Sequence, residues 1–268
     1  HRGGPAHLRR PGPGERKASM NAGGYVETQG ARLYYQDWGA GEPVLLLHGN
    51  AQSHRVFRWY LQQLSPLYRV LLMDSRGHGL SRHREGRREF STADMAGDVA
   101  ALLDSLQISR CAIIGFSDGA NVALEFAARF PGRVRAVVSV SGNARPAGLI
   151  WPLRLFARGE YAAARLLERL PLPGAGLRRF FGEKRQLAAL LCRSPQLGGR
   201  ELGCIRAPVL LLAGTHDLVR TAHTRWMAAA IPNSRLDLRP GGTHGAFFRQ
   251  REDYLARILN FFRENGIK

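Results

Sequence analysis

Apolar residues along this chain come in short, nearly unbroken runs. Between the runs lie stretches in which they recur every three or four positions. Val44–Leu47, Arg69–Asp74, Cys111–Gly115, Val134–Val140 and Val209–Ala213 are of the first kind. A run without polar alternation predicts a strand covered on both faces, as in a parallel sheet. Leu236 and Leu238 add an alternating apolar pattern further on. In the second kind, Met95, Val99, Leu102, Leu103 and Leu106 form a helical stripe from Ser91 to Leu106, with Ser91 or Thr92 placed to cap it. Ala120–Phe130 and Asp253–Phe262 carry the same spacing. Strand and helix in alternation predict a doubly wound α/β domain.

Two regions break this rhythm. Residues 1–24 are rich in Gly, Pro and Arg and hold almost no large apolar residue, which predicts a disordered tail. They lack the apolar core of a secretory signal, and Met20 is a candidate start, with residues 1–19 an upstream extension. Residues 143–200 carry scattered aromatics and prolines and eleven basic against three acidic residues. They read as a helical cap over one edge of the sheet, of the kind that admits substrate to a pocket. The core is then expected in residues 25–142 and 201–268. No apolar run reaches the roughly 18 residues of a membrane span, so no membrane partner is expected.

Composition narrows the class. In 268 residues, 44% hydrophobic and 22% charged residues exclude a wholly disordered, collagen-like or coiled-coil chain. A net charge of +18 first suggests nucleic acid. Yet apart from Lys17, Lys184 and Lys268 the basic residues are all arginines, spread along the whole chain. That usage reads as a GC-rich genome, so salt-sensitive sticking to polyanions is expected but no specific nucleic-acid partner. Cys111, Cys192 and Cys204 are odd in number and lack metal-ligand spacing, which points to a reducing, cytoplasmic compartment and no metal site.

The candidate chemistry lies where the predicted strands end. Gly115-Phe116-Ser117-Asp118-Gly119 follows one strand and opens a helix. The pattern alone is weak, but in a strand-to-helix setting GxSxG is a nucleophile elbow. A hydroxyl needs a base to become a nucleophile, and His244, between Thr243 and Gly245, is the candidate. The base needs an orienting carboxylate, and Asp217 follows the Val209 strand. An oxyanion needs two N–H donors. The backbone amide of Asp118 is one candidate; the amide of Asn50 is the other, with Ala51 its nearest rival. His48, Asp74, Arg76 and His78 read as structural, with Arg76 a candidate partner in a buried ion pair. His216 reads as a loop residue.

On LLLHGN at 45–50, DSRGHGLS at 74–81, GFSDGAN at 115–121, GTHD at 214–217 and GGTHG at 241–245, the chain resembles an α/β-hydrolase fold serine hydrolase over residues 25–265. The resemblance implies a mostly parallel, eight-stranded sheet flanked by helices, a lid after strand 6, a Ser-Asp-His chain order, no cofactor and a small-molecule acyl substrate. It implies an esterase most directly, with a C–C bond hydrolase or an enol-lactonase of aromatic degradation as alternatives. A binding protein with a vestigial site is the alternative of another class. Serine followed by Asp118 resembles the elbow of the valacyclovir-hydrolase-like group, where the acidic residue helps hold a substrate's amino group. Two cues oppose that role: the basic cap favours an anionic substrate, and Asp118 could point away to pair with an arginine or the helix N-terminus.

Overall fold

The computed structural model describes residues 20–84, 89–170 and 174–268. The chain opens with an antiparallel pair, β1 (Met20–Thr28) and β2 (Ala31–Trp38), turned at Gly30 with φ of +78°. There follow β3 (Pro43–Leu47), α1 (Arg58–Leu64), β4 (Arg69–Met73), the two-residue β5 (Arg82–His83) and α2 (Thr92–Ser105). Next come β6 (Cys111–Phe116), α3 (Asp118–Arg129) and β7 (Val134–Val140). Three helices, α4 (Trp151–Arg169), α5 (Ala175–Arg193) and α6 (Gly199–Gly203), precede β8 (Val209–His216). The chain closes with α7 (Thr221–Ala230), β9 (Ser234–Thr243), α8 (Ala246–Arg249) and α9 (Arg251–Glu264).

Among the described residues nine strands form one sheet, in the order β1-β2-β4-β3-β6-β7-β8-β9, with β5 paired to β2 beside that path. The expected eight strands form the path, and β5 is the ninth. From β4 to β9 every pairing is parallel. Strand residues alternate between two cores, as a pleat requires. Leu45, Ile113, Val137 and Leu211 pack with α2, α3 and α7 on one face, while Leu46, Ile114, Val138 and Leu210 pack with α1 and α9 on the other. Ser91 caps α2 as expected, in a reciprocal box with Asp94. Residues 20–24, expected in a disordered tail, instead form part of β1. Backbone pairing to β2 orders them without large apolar side chains. The rest of that tail lies outside the described residues. Among these residues no helix is long and apolar enough to cross a membrane.

The turn after β4 is held by charge. Arg76 and Asp98 of α2 form the expected buried pair, with Nε–Oδ2 at 2.6 Å. Asp74 accepts from the backbone of His54 at 2.6 Å and of Leu80 at 2.8 Å, pinning this turn to the segment after β3. These contacts fit the structural reading of Asp74 and Arg76.

The tightest packing is where β6 turns into α3. Ser117 sits there at φ +54° and ψ −119°, a strained conformation for a residue with a side chain. Gly115 and Gly119 allow it: a methyl on Gly119 would collide with the backbone oxygens of Leu47 and His48, and one on Gly115 with the start of α3. Gly119→Ala is therefore expected to lose about 3 kcal/mol or more of stability in urea unfolding. Gly132→Ala, whose methyl would meet open space, should change it by no more than about 0.5 kcal/mol. Equal midpoints for the two variants would refute the packing argument.

Candidate active site

Parallel strands end on the same side of a sheet, so β3, β6, β8 and β9 deliver their following residues to one edge. Strand β6 delivers Ser117. Strands β8 and β9 pair through a bulge, after which His216 lies opposite Thr243. His216 is thus the last residue of a strand rather than a loop residue. Asp217 and His244 each follow one member of that final pair. His244 Nδ1 lies 2.6 Å from Asp217 Oδ1, and His244 Nε2 lies 3.1 Å from Ser117 Oγ. The three expected residues therefore meet as a connected relay although 127 positions separate Ser117 from His244. Phe116 stands beside the imidazole, with ring centroids 5.1 Å apart.

Asp217 is better anchored than its motif indicated. Ser141, just past the end of β7 at φ +56°, donates its hydroxyl to Asp217 Oδ2 at 2.6 Å. The N–H of Leu218 reaches Oδ1 at 2.6 Å. Burial pushes the Asp217 carboxyl up, but His244, Ser141 and the Gly214 N–H outweigh it and hold the group below its usual range. Asp217 is thereby kept ionised facing the imidazole. Ser141 was missed because no motif surrounds it; only the neighbouring ends of β7 and β8 reveal its role.

The turn after β3 presses against the elbow. A methyl on Gly49 would come within 3.1 Å of the Ser117 Cβ, so the backbone at 49–50 is immediate to the serine. Asn50 also contributes its side chain: Nδ2 donates to Asp118 Oδ2 at 2.8 Å and to the carbonyl of Leu187 in α5 at 3.0 Å. Asn121 donates to Asp118 Oδ1 at 3.2 Å and to Asn143 Oδ1 at 3.1 Å. Asp118 is buried and, among the described residues, meets these amides rather than an arginine, which corrects the ion-pair alternative. Burial raises its carboxyl above the usual range, against the opposing pull of Asn50, His78, His244 and Asn121.

A cavity of about 380 Å³ opens over Ser117, Asp118, Asn50 and His244. Leu153 of α4, Leu191 of α5 and Phe248 also line it. The wall is largely apolar, with polar groups gathered at the serine. Among the described residues no cluster of His, Cys, Asp and Glu could hold a metal ion.

Of the four other histidines that are buried, His48, His78 and His223 are held neutral by their surroundings. Ser75 N–H donates to His48 Nε2 at 3.1 Å, and Ala144 N–H to His223 Nε2 at 3.1 Å. Burial, with a smaller contribution from His78, pushes His48 down to about 3. Burial and then Arg220 and Arg145 push His223 down to about 4, and burial also lowers His78. Below their ordinary 6.5 the unfolded chain binds these protons while the folded chain refuses them. The contribution of neutral burial is therefore full above pH 6.5 and is lost as pH falls towards 4. The unfolding free energy from urea titrations should drop through that window, by about 1.4 kcal/mol per pH unit for each of His48 and His223. His223→Gln should flatten the decline. A free energy constant over that range would contradict the assignment.

Comparison with known proteins places the chain in a family. The model of the alpha/beta hydrolase fold family matches residues 42–162. The chain is 30% identical over 257 residues to an Azorhizobium caulinodans protein named as a carbamate hydrolase, RutD, covering 88% of this chain and 96% of that one. It is 28% identical over 258 residues to the serine hydrolase BPHL of Mus musculus, covering 89% and 85% respectively. Among solved structures, the enol-lactonase from Burkholderia xenovorans LB400 matches with a TM-score of 0.70 at 25% identity, over 90% of this chain and 100% of that one. The chain belongs to the α/β-hydrolase fold family and, with its named relatives, is a hydrolase.

Proposed function

We propose that this hydrolase cleaves a carboxylic ester, or a related acyl bond, of a small molecule through an acyl-enzyme on Ser117. The connected Ser117–His244–Asp217 relay opening into an apolar cavity carries this reading. His244 Nε2 takes the Ser117 proton as Oγ attacks the acyl carbon. The backbone amides of Asn50 and Asp118 receive the oxyanion, which the contact of residues 49–50 with the elbow supports. His244 then returns the proton to the leaving oxygen. Water, deprotonated by His244, releases the acid and restores the serine hydroxyl. Asp217 keeps the imidazole in the required tautomer and stabilises the imidazolium.

Residues 143–200 serve as the cap, with Leu153 and Leu191 lining the acyl side of the cavity. The scheme uses no cofactor. Free thiols at Cys111, Cys192 and Cys204 fit a reducing, cytoplasmic setting. A lactone is a cyclic ester and would open by the same steps, and the enol-lactonase likeness supports testing it.

The test is hydrolysis of a panel of chromogenic esters of short and long acyl chains, amino-acyl esters, a lactone and a carbamate. Ser117→Ala should lower kcat by at least about ten-thousandfold with an unchanged circular dichroism spectrum. Undiminished turnover in that variant would overturn the nucleophile. Absence of turnover in the wild type, with no labelling of Ser117 by a fluorophosphonate, would favour the binding-protein alternative.

Asp118 is the substrate contact in this reading. A buried carboxylate held by neutral amides, lining the cavity one residue from the nucleophile, fits a substrate ammonium. Asp118→Asn should lower kcat/KM for amino-acyl esters by about tenfold or more and leave that for simple acyl esters within about threefold. Equal losses on both ester classes would assign Asp118 to holding the elbow instead.

A further inference from the structure

The outer face of α4 has no use in the chemistry. Trp151, Leu155, Ala162 and Leu166 recur at helical spacing and form one ridge. Trp151 is 71% exposed, Leu155 64% and Leu166 63%, values opposite to what core packing would produce. Phe156 widens the ridge at 65% exposure. Arg154, Arg158, Arg165 and Arg169 repeat the same spacing three residues later, so a basic ridge runs alongside the apolar one. The inner face is distinct: Ala157 and Ala164 are buried, and Leu153 lines the cavity.

Charge identifies the occupant. Among the described residues none of the four arginines has a carboxylate within ion-pair distance. The acidic side chains of α4 and α5 are engaged by their own neighbours: Glu160 with Lys184, Glu168 with Arg185, and Glu183 with Arg179. A second copy of this face would bring more unpaired arginines and no acidic groups to meet them. The net charge of +18 opposes such pairing further. A surface that is apolar at one depth and anionic at the next fits both ridges. Tryptophan, phenylalanine and leucine beside a row of arginines is the composition of a helix that lies in a lipid interface.

We propose that the outer face of α4 docks this protein on an anionic phospholipid surface. The apolar ridge enters the level of the upper acyl chains, and the guanidinium row meets the phosphates, where its planar donors can bind two oxygens at once. This revises the expectation of no membrane partner, which rested on the lack of a span.

Co-sedimentation of the whole chain with vesicles tests it, using phosphatidylcholine alone and phosphatidylcholine with about one third phosphatidylglycerol. The mixed vesicles should bind the protein, with affinity falling as salt rises. Phosphatidylcholine alone should bind at least about tenfold more weakly. The variants Leu155→Glu and Arg158→Glu/Arg165→Glu should each lose about tenfold or more on the mixed vesicles. All of these positions are exposed, so thermal midpoints should not move. Binding that is absent, indifferent to lipid charge, or retained in both variants would overturn the proposal. A dimer on gel filtration that Leu155→Glu dissolves, without vesicle binding, would instead assign the face to a second copy.

Discussion

The backbone of α3 lies against the end of β3 with no room for a side chain between them, and the rest of the site is arranged around that contact. Gly119 is the point of approach, and Gly115 gives the matching clearance at the end of β6. Together they force the intervening residue into the strained conformation of Ser117 and lift its hydroxyl off the sheet edge. The same approach sets residues 49–50 against the serine, so the proposed nucleophile and oxyanion donors share one steric cause. Strain at a single residue is tolerable because the helix, the strand and two hydrophobic cores hold its neighbours from both sides.

Electrostatics at the sheet edge divides two carboxylates by their company. Asp217 receives hydrogen bonds from a hydroxyl, backbone N–H groups and the imidazole, and stays readily ionised. Asp118 lies across the serine with neutral amides as partners, and burial works against its charge. In the proposed reaction the first faces the cation that would form transiently on His244, and the second the cation of a substrate.

Much of this arrangement was legible in the sequence, because the features concerned are local. A strained serine needs glycines nearby, and a doubly covered strand needs an unbroken apolar run. A helix start needs a cap such as Ser91. Asp217 and His244 could be chosen because each follows a strand pattern. What escaped was set by contacts across the fold. Ser141 gains its role only from lying opposite Asp217, 76 positions away. The partners of Asp118 come from a turn 68 residues earlier and from its own helix, where an arginine or the helix N-terminus was the alternative weighed. Residues 20–24 are ordered by pairing rather than burial, which apolar patterning does not register. The ridges of α4 are periodic in the sequence, but periodicity does not say which side of a helix is left uncovered.

The excursion between β7 and β8 is tied down at its roots. Leu197 N–H meets the Ala144 carbonyl at 2.9 Å, Ile150 N–H meets Leu218 at 2.9 Å, and Arg220 N–H meets Gly148 at 2.9 Å. With its two ends stitched together, the excursion behaves as a module whose length is decoupled from the relay. Helices could be gained, lost or exchanged there while Ser117, His244 and Asp217 keep their distances. The segment from β8 to β9 has no such freedom. Its last pairing, His216 opposite Thr243, sets where Asp217 and His244 fall, and one inserted residue would turn the imidazole to the wrong side. Divergence among relatives should therefore be accommodated as length variation between β7 and β8, and as substitution without insertion at the end of β9.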